Sequence, residues 1–345
     1  MSRAAAFLLA AAVVASLNPA PAQPAKLKLG LVVATEVTVD SEPALRSLVF
    51  SPDGKLLAVG AEDVFLFDVT SKAVTPTGTV IKAGTPTGKT SVRAMAFTPD
   101  GKYLLFGSGD NSVRVWDVAG KAEASQAKVH QRRVLAAAVS PDGKMAATGG
   151  ADKSAIVWNL TSDGRLTEHA VLRDEQKDQS VRGLAFLPKG AGLMVAGEGG
   201  SFRSYALGKD GAKPSGGFAP KGALGVGHVV ANPAANLWAV PSGTNVILVS
   251  ASGVGSGVLG GPAGHKRNVV DASFSPDGKL VASCGQDGQV IVWEVATKKA
   301  GYAKSRPGEF TAIAFSPKAD DGTGDVTVAA GLEGGIIHVL KLGYR

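Results

Sequence analysis

The sequence predicts an all-β protein in which seven four-stranded antiparallel blades close into a ring, a β-propeller. A Ser-Pro-Asp-Gly-Lys motif, intact or degenerate, recurs seven times along the 345 residues. Successive copies stand 41 to 47 residues apart, a spacing typical of propeller blades. Apolar residues alternate beside each motif, and no stretch shows a sustained helical period with caps. The prolines of the motif are Pro52, Pro99, Pro141, Pro188, Pro233, Pro276 and Pro317.

Each copy predicts the same strands in the same order. Alternating larger apolar residues, such as Leu48 and Phe50, predict an inner strand that ends just before the proline. Pro-Asp-Gly then forms a tight turn, because proline presets its φ and glycine tolerates a positive φ. A second strand, a polar turn around an aspartate, a third strand and a weaker fourth segment follow. The third strands end in the aromatic residues Phe67, Trp116, Trp158, Tyr205 and Trp293.

The repeat predicts one propeller over residues 23–345. The last copy has no outer strand, and the segment Lys26–Thr38 has no blade of its own. We therefore expect Lys26–Thr38 to complete the last blade and remove an exposed sheet edge. The copies near Pro188 and Pro233 are the most degenerate, so the register of those two blades stays open. The predicted blades span about 44–87, 88–129, 130–176, 177–225, 226–264, 265–307, and 308–345 with 26–38.

The first 22 residues predict a signal peptide. Arg3 precedes an apolar run from Ala4 to Leu17, and small residues precede a proposed cleavage after Ala22. The run is shorter than the roughly 20 residues that span a bilayer, although a membrane anchor or a disordered tail is an alternative. We therefore expect an exported protein, periplasmic or extracellular, whose only cysteine, Cys284, lies buried in a strand.

Composition excludes several classes of protein. Only 19% of the residues are charged and 45% are apolar, which excludes a disordered chain. A single cysteine excludes a disulfide framework and a cysteine-based metal site. The formal net charge of +7 favours anionic partners only weakly, since the lysines are spread along the chain.

Two copies of the repeat share four polar or aromatic residues at identical spacing. They resemble the WD-repeat family of seven-bladed β-propellers, and the resemblance covers about residues 27–345. The dipeptide that names the family survives as Trp116-Asp117. The resemblance implies a buried relay from carboxylate to imidazole, to hydroxyl, to indole N–H, with a structural role and no implied activity. The two tetrads are His130, Thr148, Asp152 and Trp158, and His265, Ser283, Asp287 and Trp293.

Several motifs look like cofactor sites but lack the necessary context. Ala83–Thr90 fits a relaxed phosphate-binding loop, and Gly255–Gly260 fits a dinucleotide fingerprint, but neither opens a predicted helix. No two of the five histidines stand four residues apart, and Asp320, Asp321 and Asp325 lack the spacing of a calcium loop. No haem-attachment motif is present. We therefore predict no metal, no cofactor and no catalytic residues.

Arginines recur at one position of the repeat, six residues before the proline. Arg46, Arg93 and Arg182 occupy it, and a closed ring would bring them to one end of the central channel. Arginine suits bidentate capture of carboxylates or phosphates. The alternative is that these charges pair with acidic residues or are solvated. Other copies carry Leu135, Gly227, Val270 and Thr311 at this position, and adjoining loops add Arg132, Arg133, Lys266 and Arg267.

These features favour a non-catalytic scaffold for protein–protein interaction that docks a partner on its rim. We expect a protein or peptide partner, with acidic groups, bound by a monomeric propeller without nucleic acid or a membrane span. One alternative is a propeller enzyme of the hydrolase or lactonase type, although only His228 and Asp271 stand at neighbouring positions of the ring. Another is a binder of small ligands or glycans that uses the channel. The sequence does not identify the partner or the pathway.

Overall fold

The chain folds into seven antiparallel sheets arranged in a ring. The computed structural model describes residues 29–39, 44–70, 73–83, 91–173, 179–187, 190, 192–219, 228–232, 234, 237–250, 255–317 and 325–344. Within these ranges the chain forms 28 strands and no α-helix. Each sheet has four strands, and these sheets are the blades. The predicted fold class, an all-β propeller with seven blades, is confirmed.

The first four blades run outward from the central channel in chain order. Blade 1 contains β2 (Ser47–Phe50), β3 (Leu56–Gly60), β4 (Val64–Val69) and β5 (Val74–Ile81). Blade 2 contains β6 (Ala94–Phe97), β7 (Tyr103–Gly107), β8 (Val113–Asp117) and β9 (Ala122–Ala127). Blade 3 contains β10 (Val134–Val139), β11 (Met145–Gly150), β12 (Ser154–Leu160) and β13 (Leu166–Arg173). Blade 4 contains β14 (Val181–Phe186), β15 (Gly192–Gly197), β16 (Phe202–Gly208) and β17 (Gly211–Phe218).

The last three blades complete the ring. Blade 5 contains β18 (Val230–Ala231), β19 (Leu237–Ser242), β20 (Asn245–Ser250) and β21 (Gly255–Leu259). Blade 6 contains β22 (Val269–Phe274), β23 (Leu280–Gly285), β24 (Gln289–Glu294) and β25 (Lys299–Ser305). Blade 7 contains β26 (Phe310–Phe315), β27 (Val326–Leu332), β28 (Ile336–Tyr344) and the N-terminal strand β1 (Leu29–Thr38).

Strand β1 is the outer strand of the last blade. It pairs antiparallel with β28, from Leu29 opposite Tyr344 to Thr38 opposite Ile336, with one irregularity between Leu31 and Val33. The predicted segment began at Lys26, but residues 26–28 lie outside the described ranges. The two ends of the described chain therefore meet in one sheet, and β28 has no free edge there.

In blades 1, 3 and 6 the Ser-Pro-Asp-Gly motif forms the turn after the inner strand. In blade 1 the Ser51 hydroxyl donates to Asp53 at 2.6 Å, and Asp53 accepts the backbone N–H of Lys55 at 3.0 Å. Gly54 has a φ of 68°, which disfavours other residues. Blades 3 and 6 repeat the serine–aspartate bond at 2.6 and 2.7 Å. The motif is therefore explained by the turn that it makes.

The hydrophobic core is divided among the seven seams between blades. Each innermost strand contacts the innermost strand of the next blade, all the way round the ring. Seven buried clusters each combine residues of two neighbouring blades. The cluster between blades 1 and 2, for example, packs Ala58 and Val64 against Met95 and Leu104. A single blade consequently has no core of its own, and ring closure is what buries the apolar surface.

Four of these seams place a glycine against a valine of the following blade: Gly60 against Val92, Gly107 against Val134, Gly149 against Val181 and Gly183 against Val229. A Cβ atom added to Gly107 would lie 2.3 Å from a methyl carbon of Val134, and one on Gly149 would lie 2.3 Å from a methyl carbon of Val181. At Gly60 the nearest atoms include the backbone oxygen of Val92 at 2.6 Å. The missing side chain lets the inner strand of the next blade approach closely.

The two degenerate copies still form four-stranded blades. Pro188 and Pro233 lie outside the described residues, and β18 of blade 5 contains only two residues. Cys284, on β23, is fully buried, as its strand context predicts. In the described part of the chain, no helix has the length and apolar character needed to cross a membrane.

Candidate functional site

The tetrad of blade 3 is a continuous buried relay of hydrogen bonds. The Nδ1 atom of His130 lies 3.0 Å from Asp152, and its Nε2 atom lies 2.9 Å from the Thr148 hydroxyl. Trp158 donates its indole N–H to the same hydroxyl at 2.9 Å. A carboxylate only accepts, so Nδ1 carries the histidine hydrogen and Nε2 accepts from the hydroxyl. Every polar group of the relay therefore has a partner.

Blade 6 contains the same arrangement. His265 lies 3.0 Å from Asp287 and 2.9 Å from the Ser283 hydroxyl. Trp293 donates its indole N–H to Ser283 at 2.8 Å. The hydroxyls of Thr148 and Ser283 belong to fully buried residues. A nucleophile must reach its substrate, so neither relay has the accessibility that catalysis needs.

Protonation of the blade 3 relay follows from its burial. Burial is the largest influence on His130 and lowers its pKa, while the charge and hydrogen bond of Asp152 raise it; the net direction is downward. The pKa of Asp152 is also lowered, because backbone and hydroxyl donors outweigh the upward effect of burial. A neutral histidine beside an ionised aspartate matches the donor and acceptor roles of the relay.

The arginines at the repeated ring position line one cavity at the end of the channel. This cavity has a volume of about 810 Å³, and its wall includes Arg46, Arg93 and Arg182, each half-buried. Each of these residues lies just before or at the start of an inner strand, so the seven-fold repeat sets their common height. We call this cavity the arginine mouth. Leu135, Val270 and Thr311 of the same ring position also line it, whereas Gly227 lies outside the described residues.

The positive charges of the arginine mouth act on one another. Partial burial is the largest cause that lowers the pKa of Arg93, and three neighbouring positive charges lower it further. These charges belong to Arg46, Arg133 and Arg182. The guanidinium group of Arg93 therefore lies within electrostatic range of the other three arginines.

Of these four arginines, the three of the mouth and Arg133, only Arg182 has an acidic partner in the described part of the chain. Arg182 pairs with Glu198 at 2.5 Å, while no described carboxylate pairs with Arg46, Arg93 or Arg133. The sequence suggested other acidic residues as partners, three of which (Asp174, Glu175 and Asp178) lie outside the described residues.

The four basic residues of the adjoining loops, which the sequence predicts on this surface, differ in position and partners from the arginines of the mouth. Arg267 pairs with Glu309 at 2.7 Å and donates to the backbone of Gln286 at 2.9 Å. Lys266 donates to the backbone of Pro262 at 2.8 Å. Arg132, Arg133, Lys266 and Arg267 are all exposed and outside the wall of the arginine mouth. Of these four residues, Arg133 is the one whose charge acts on Arg93.

His228 and Asp271 face each other across the channel wall. The Nδ1 atom of His228 lies 3.4 Å from Asp271, which also accepts the backbone N–H groups of Ala272 at 2.8 Å and Ile313 at 2.9 Å. Burial lowers the pKa of His228, but Asp271 outweighs this effect and the net direction is upward. The nearby Cys284 thiol has a pKa raised well above its ordinary value by burial and by the charge of Asp271. Among the residues that the structure describes, no activated nucleophile accompanies the pair.

The opposite end of the channel is apolar, a feature that the sequence reading missed. A cavity of about 580 Å³ there overlaps the arginine mouth along the channel, and the two share wall residues such as Phe50, Met95, His228 and Phe315. The signal was available, because a phenylalanine stands two residues before the proline in most copies. Phe50, Phe97, Phe186, Phe274 and Phe315 line this cavity.

The remaining motifs show no site among the described residues. Gly255–Leu259 is the outer strand β21, so the dinucleotide fingerprint opens no helix. Residues 84–90 of the phosphate-loop match, and Asp320 and Asp321, lie outside the described ranges. Asp325 lies 3.6 Å from Lys341. Within the described ranges, no cluster of histidine, cysteine and acidic residues has the arrangement of a metal site.

Comparison with known proteins places the repeats in a sequence family. The family model of the WD domain, G-beta repeat, matches residues 81–117, 124–159 and 258–294. The second and third matches each contain one complete tetrad, and the dipeptide Trp116-Asp117 ends the first match. The three matches contain the copies of the turn motif at Pro99, Pro141 and Pro276.

Curated relatives match short parts of this chain. The small ribosomal subunit protein RACK1 of Candida albicans is 41% identical over 54 residues, which cover 16% of this chain and 17% of that protein. The ribosome biogenesis protein BOP1 homolog of Caenorhabditis elegans is 35% identical over 81 residues, 23% of this chain and 11% of that protein. The periodic tryptophan protein 2 homolog of Dictyostelium discoideum is 31% identical over 86 residues, 24% and 9% respectively. The chain thus spans less than a fifth of the length of these relatives.

The prediction of an exported protein, periplasmic or extracellular, is wrong by this comparison. The matched relatives are named as a ribosomal subunit protein and a ribosome biogenesis protein, and ribosomes are built and used inside the cell. The prediction depended on residues 1–22 alone, which lie outside the described ranges. A short run of small apolar residues after one arginine is a composition signal, and nothing in the folded ring supports it.

Proposed function

Because the chain is a seven-bladed β-propeller of the WD-repeat family, we propose that it is a non-catalytic scaffold for protein–protein interaction whose partner docks on the face that carries the arginine mouth. The observation that carries this proposal is the convergence of Arg46, Arg93 and Arg182 from three blades on one cavity. A rigid ring presents such residues at fixed separations, and the loops around them are free to vary.

The relatives support the scaffold role at a coarse level. RACK1 is named as a small ribosomal subunit protein, and a subunit protein is held in its assembly by contacts with other molecules. The match covers only 17% of that protein, so its partners are not carried over. We propose for this chain only the general task, the holding of a partner on a propeller face.

The charge of the face indicates the kind of partner segment. Arg46 and Arg93 have no acidic partner among the described residues, and Arg132 and Arg133 add exposed charge beside them. Guanidinium groups bind carboxylates in a bidentate manner, and positive potential speeds the encounter with an acidic surface. We therefore propose an acidic segment of a protein partner, bound by a single ring.

The test compares two variants that remove equal charge from opposite faces. Arg46→Ala/Arg93→Ala/Arg182→Ala removes three charges from the proposed docking face. Lys55→Ala/Lys144→Ala/Lys279→Ala removes three charges from the Pro-Asp-Gly-Lys turns at the other end of the inner strands, where all three lysines are exposed. Partners captured by the immobilised protein from an extract of its own cells are quantified by mass spectrometry for the parent and both variants.

We expect the arginine variant to lose at least tenfold of the captured partner and the lysine variant to lose less than twofold, because only the first removes guanidinium groups that converge. Circular dichroism spectra and melting temperatures of both variants control for folding. Equal capture by the parent and the arginine variant would contradict docking at this face. Equal losses of captured partner in the two variants would show that net charge, and not the position of the arginines, determines binding.

A further inference from the structure

The arginine mouth holds positive charge that the described residues do not neutralise. Glu198 pairs with Arg182, and Asp271 is the acidic residue in the wall of the cavity. Asp271 already accepts two backbone N–H groups and faces His228. Arg46, Arg93 and the nearby Arg133 remain without a described acidic partner. Like charges held together repel, so an arrangement of this kind is favoured by an anion that bridges them.

One donor in the mouth is also unsatisfied. The Nε atom of Arg182 is buried and has no hydrogen-bond partner in the described part of the protein. A buried donor of this kind costs about 1–3 kcal/mol unless a partner satisfies it. The orphaned donor and the uncompensated charges lie in the same cavity wall and point to the same missing group, an acceptor with negative charge.

The dimensions of the mouth suit a small molecule. Ligand cavities of about 300–1,000 Å³ hold molecules of cofactor size, and the mouth has a volume of about 810 Å³. Its wall combines the arginines with apolar side chains such as Leu48 and Met95 and with the amides of Asn268 and Gln286. This combination of apolar wall and few polar groups is the usual composition of a small-molecule site.

Phosphate is the anion that fits the charge best. A phosphate group carries up to about two negative charges and three acceptor oxygens on one tetrahedral centre, so one group can contact two guanidinium groups. Arg46, Arg93 and Arg182 belong to three different blades, 1, 2 and 4, and all line this cavity. A ligand with two or more linked phosphates would contact all three, whereas a single carboxylate would not.

We infer that the arginine mouth is a binding site for a small molecule that carries at least two phosphate groups. Arg46 and Arg93 are its principal contacts, and Glu198 competes with the ligand for Arg182. This site goes beyond the proposed docking of a protein, since the ligand binds the isolated ring. The apolar opposite end of the channel, lined by phenylalanines, offers no comparable set of charges in the described residues.

Isothermal titration calorimetry of the purified full chain with tripolyphosphate tests the inference. We expect one saturable site whose affinity falls as salt is raised, because the contacts are between charges. Arg46→Ala/Arg93→Ala should weaken binding at least tenfold. Glu198→Gln should strengthen it about threefold or more, because it frees Arg182. The matched control Lys55→Ala/Lys144→Ala should stay within twofold of the parent.

The gain expected for Glu198→Gln keeps the test independent of folding, since a damaged protein does not bind more tightly. Absence of saturable binding to the parent would overturn the inference, and so would equal affinity in the parent and Arg46→Ala/Arg93→Ala. A peptide with two phosphoserines that binds at least tenfold more tightly than tripolyphosphate would assign the site to a modified protein segment instead. If Arg46→Ala/Arg93→Ala loses tripolyphosphate binding but still captures the protein partner, the result supports this site and contradicts the proposed docking face.

Discussion

At the scale of single residues, one hydroxyl joins the two ends of the blade 3 relay. The Thr148 oxygen accepts the indole N–H of Trp158 and can donate to Nε2 of His130. Both partners are buried, with exposed fractions of 2% for Trp158 and 3% for His130. Without the hydroxyl, neither the indole N–H of Trp158 nor Nε2 of His130 can bond to water instead. The cost of leaving these two buried groups unpaired is therefore larger than the net contribution of their hydrogen bonds to stability.

Thr148→Val should therefore destabilise the protein by about 2–4 kcal/mol, because it leaves two buried polar groups unsatisfied at about 1–3 kcal/mol each. Urea denaturation at pH 7 measures the free energy of unfolding. Thr75→Val on the exposed outer strand β5 removes the same hydroxyl from a position with no such bonds and should change stability by less than 0.5 kcal/mol or so. A Thr148→Val variant as stable as Thr75→Val would show that the relay contributes nothing.

The sequence predicts the relay of blade 3 but not the ion pair of Arg182. The relay geometry follows from the spacing of four residue types, because strands β11 and β12 are adjacent and their pairing of Thr148 with Ile156 makes Trp158 a diagonal neighbour of Thr148 on the same face. The pairing of Arg182 with Glu198 did not follow. Glu198 lies in the turn after β15, in a copy where the usual aspartate of that turn is replaced by Gly199. Because this copy of the repeat is degenerate, the other copies do not indicate which residue pairs with Arg182.

At the scale of elements, β1 is the strand that the repeat does not supply. It buries Leu29 at its start and Val39 just after its end. It also brings Glu36 into an ion pair with Arg306 of blade 6 and within 3.5 Å of the buried His338 of β28. Its contribution is therefore both hydrophobic and electrostatic, and it reaches across a seam as well as within its own blade.

Removal of residues 1–43 should lower the melting temperature by roughly 10 °C. Two buried apolar side chains are worth about 1.5–3 kcal/mol each, and 1 kcal/mol corresponds to about 2–4 °C in a domain of this size class. The exposed edge of β28 should also promote association. Differential scanning calorimetry and size-exclusion chromatography measure both effects. A chain that begins at Lys28 keeps β1 and serves as the control; equal melting temperatures for the two truncated chains would contradict the role of β1.

The order of strands was predictable because the turn motif fixes where each inner strand ends. The outer strand of blade 7 was predictable because one copy lacked a strand and one segment lacked a copy. The short strand β18 was not, since Val230–Ala231 sits in the copy whose motif is most altered. Where the turn chemistry is lost, alternating apolar residues alone do not fix the length of a strand.

At the scale of the whole molecule, stability lies in the seams. Each of the seven buried clusters belongs to two blades, so a change in one blade is felt by its neighbour. Between blades 2 and 3, Gly107 packs against Val134 at a distance that excludes any side chain on the glycine. A close approach of this kind transmits strain, because packed side chains have little room to adjust.

Gly107→Ala should cost about 1–3 kcal/mol by overpacking, and Val134→Ala about 1–2 kcal/mol by lost burial. The double variant should cost at least about 1 kcal/mol less than the sum, because each change makes room for the other. Urea denaturation of the four proteins gives the coupling energy. Gly208→Ala, whose added Cβ would meet only the backbone oxygen of Gly211 at 3.8 Å, is the control and should be neutral or slightly stabilising. Strict additivity would show that the seam adjusts freely.

The two cavities of the channel exist only in the closed ring, so the sequence alone predicts their walls incompletely. The repeat position of Arg46, Arg93 and Arg182 indicated a common height, but not that Arg133 would act on Arg93 while Lys266 and Arg267 turned to other partners. The phenylalanine at the end of each inner strand was assigned to the core, and its second role in a cavity wall appears only when the blades surround an axis.

The pairing of β1 with β28 also has a consequence for biosynthesis. About 300 residues separate the two strands along the chain, so the N-terminal strand emerges from the ribosome long before its neighbour exists. It cannot pair with β28 until the roughly 300 intervening residues have been translated. Closure of the ring therefore depends on a contact between segments far apart in sequence, a kind of contact that forms slowly.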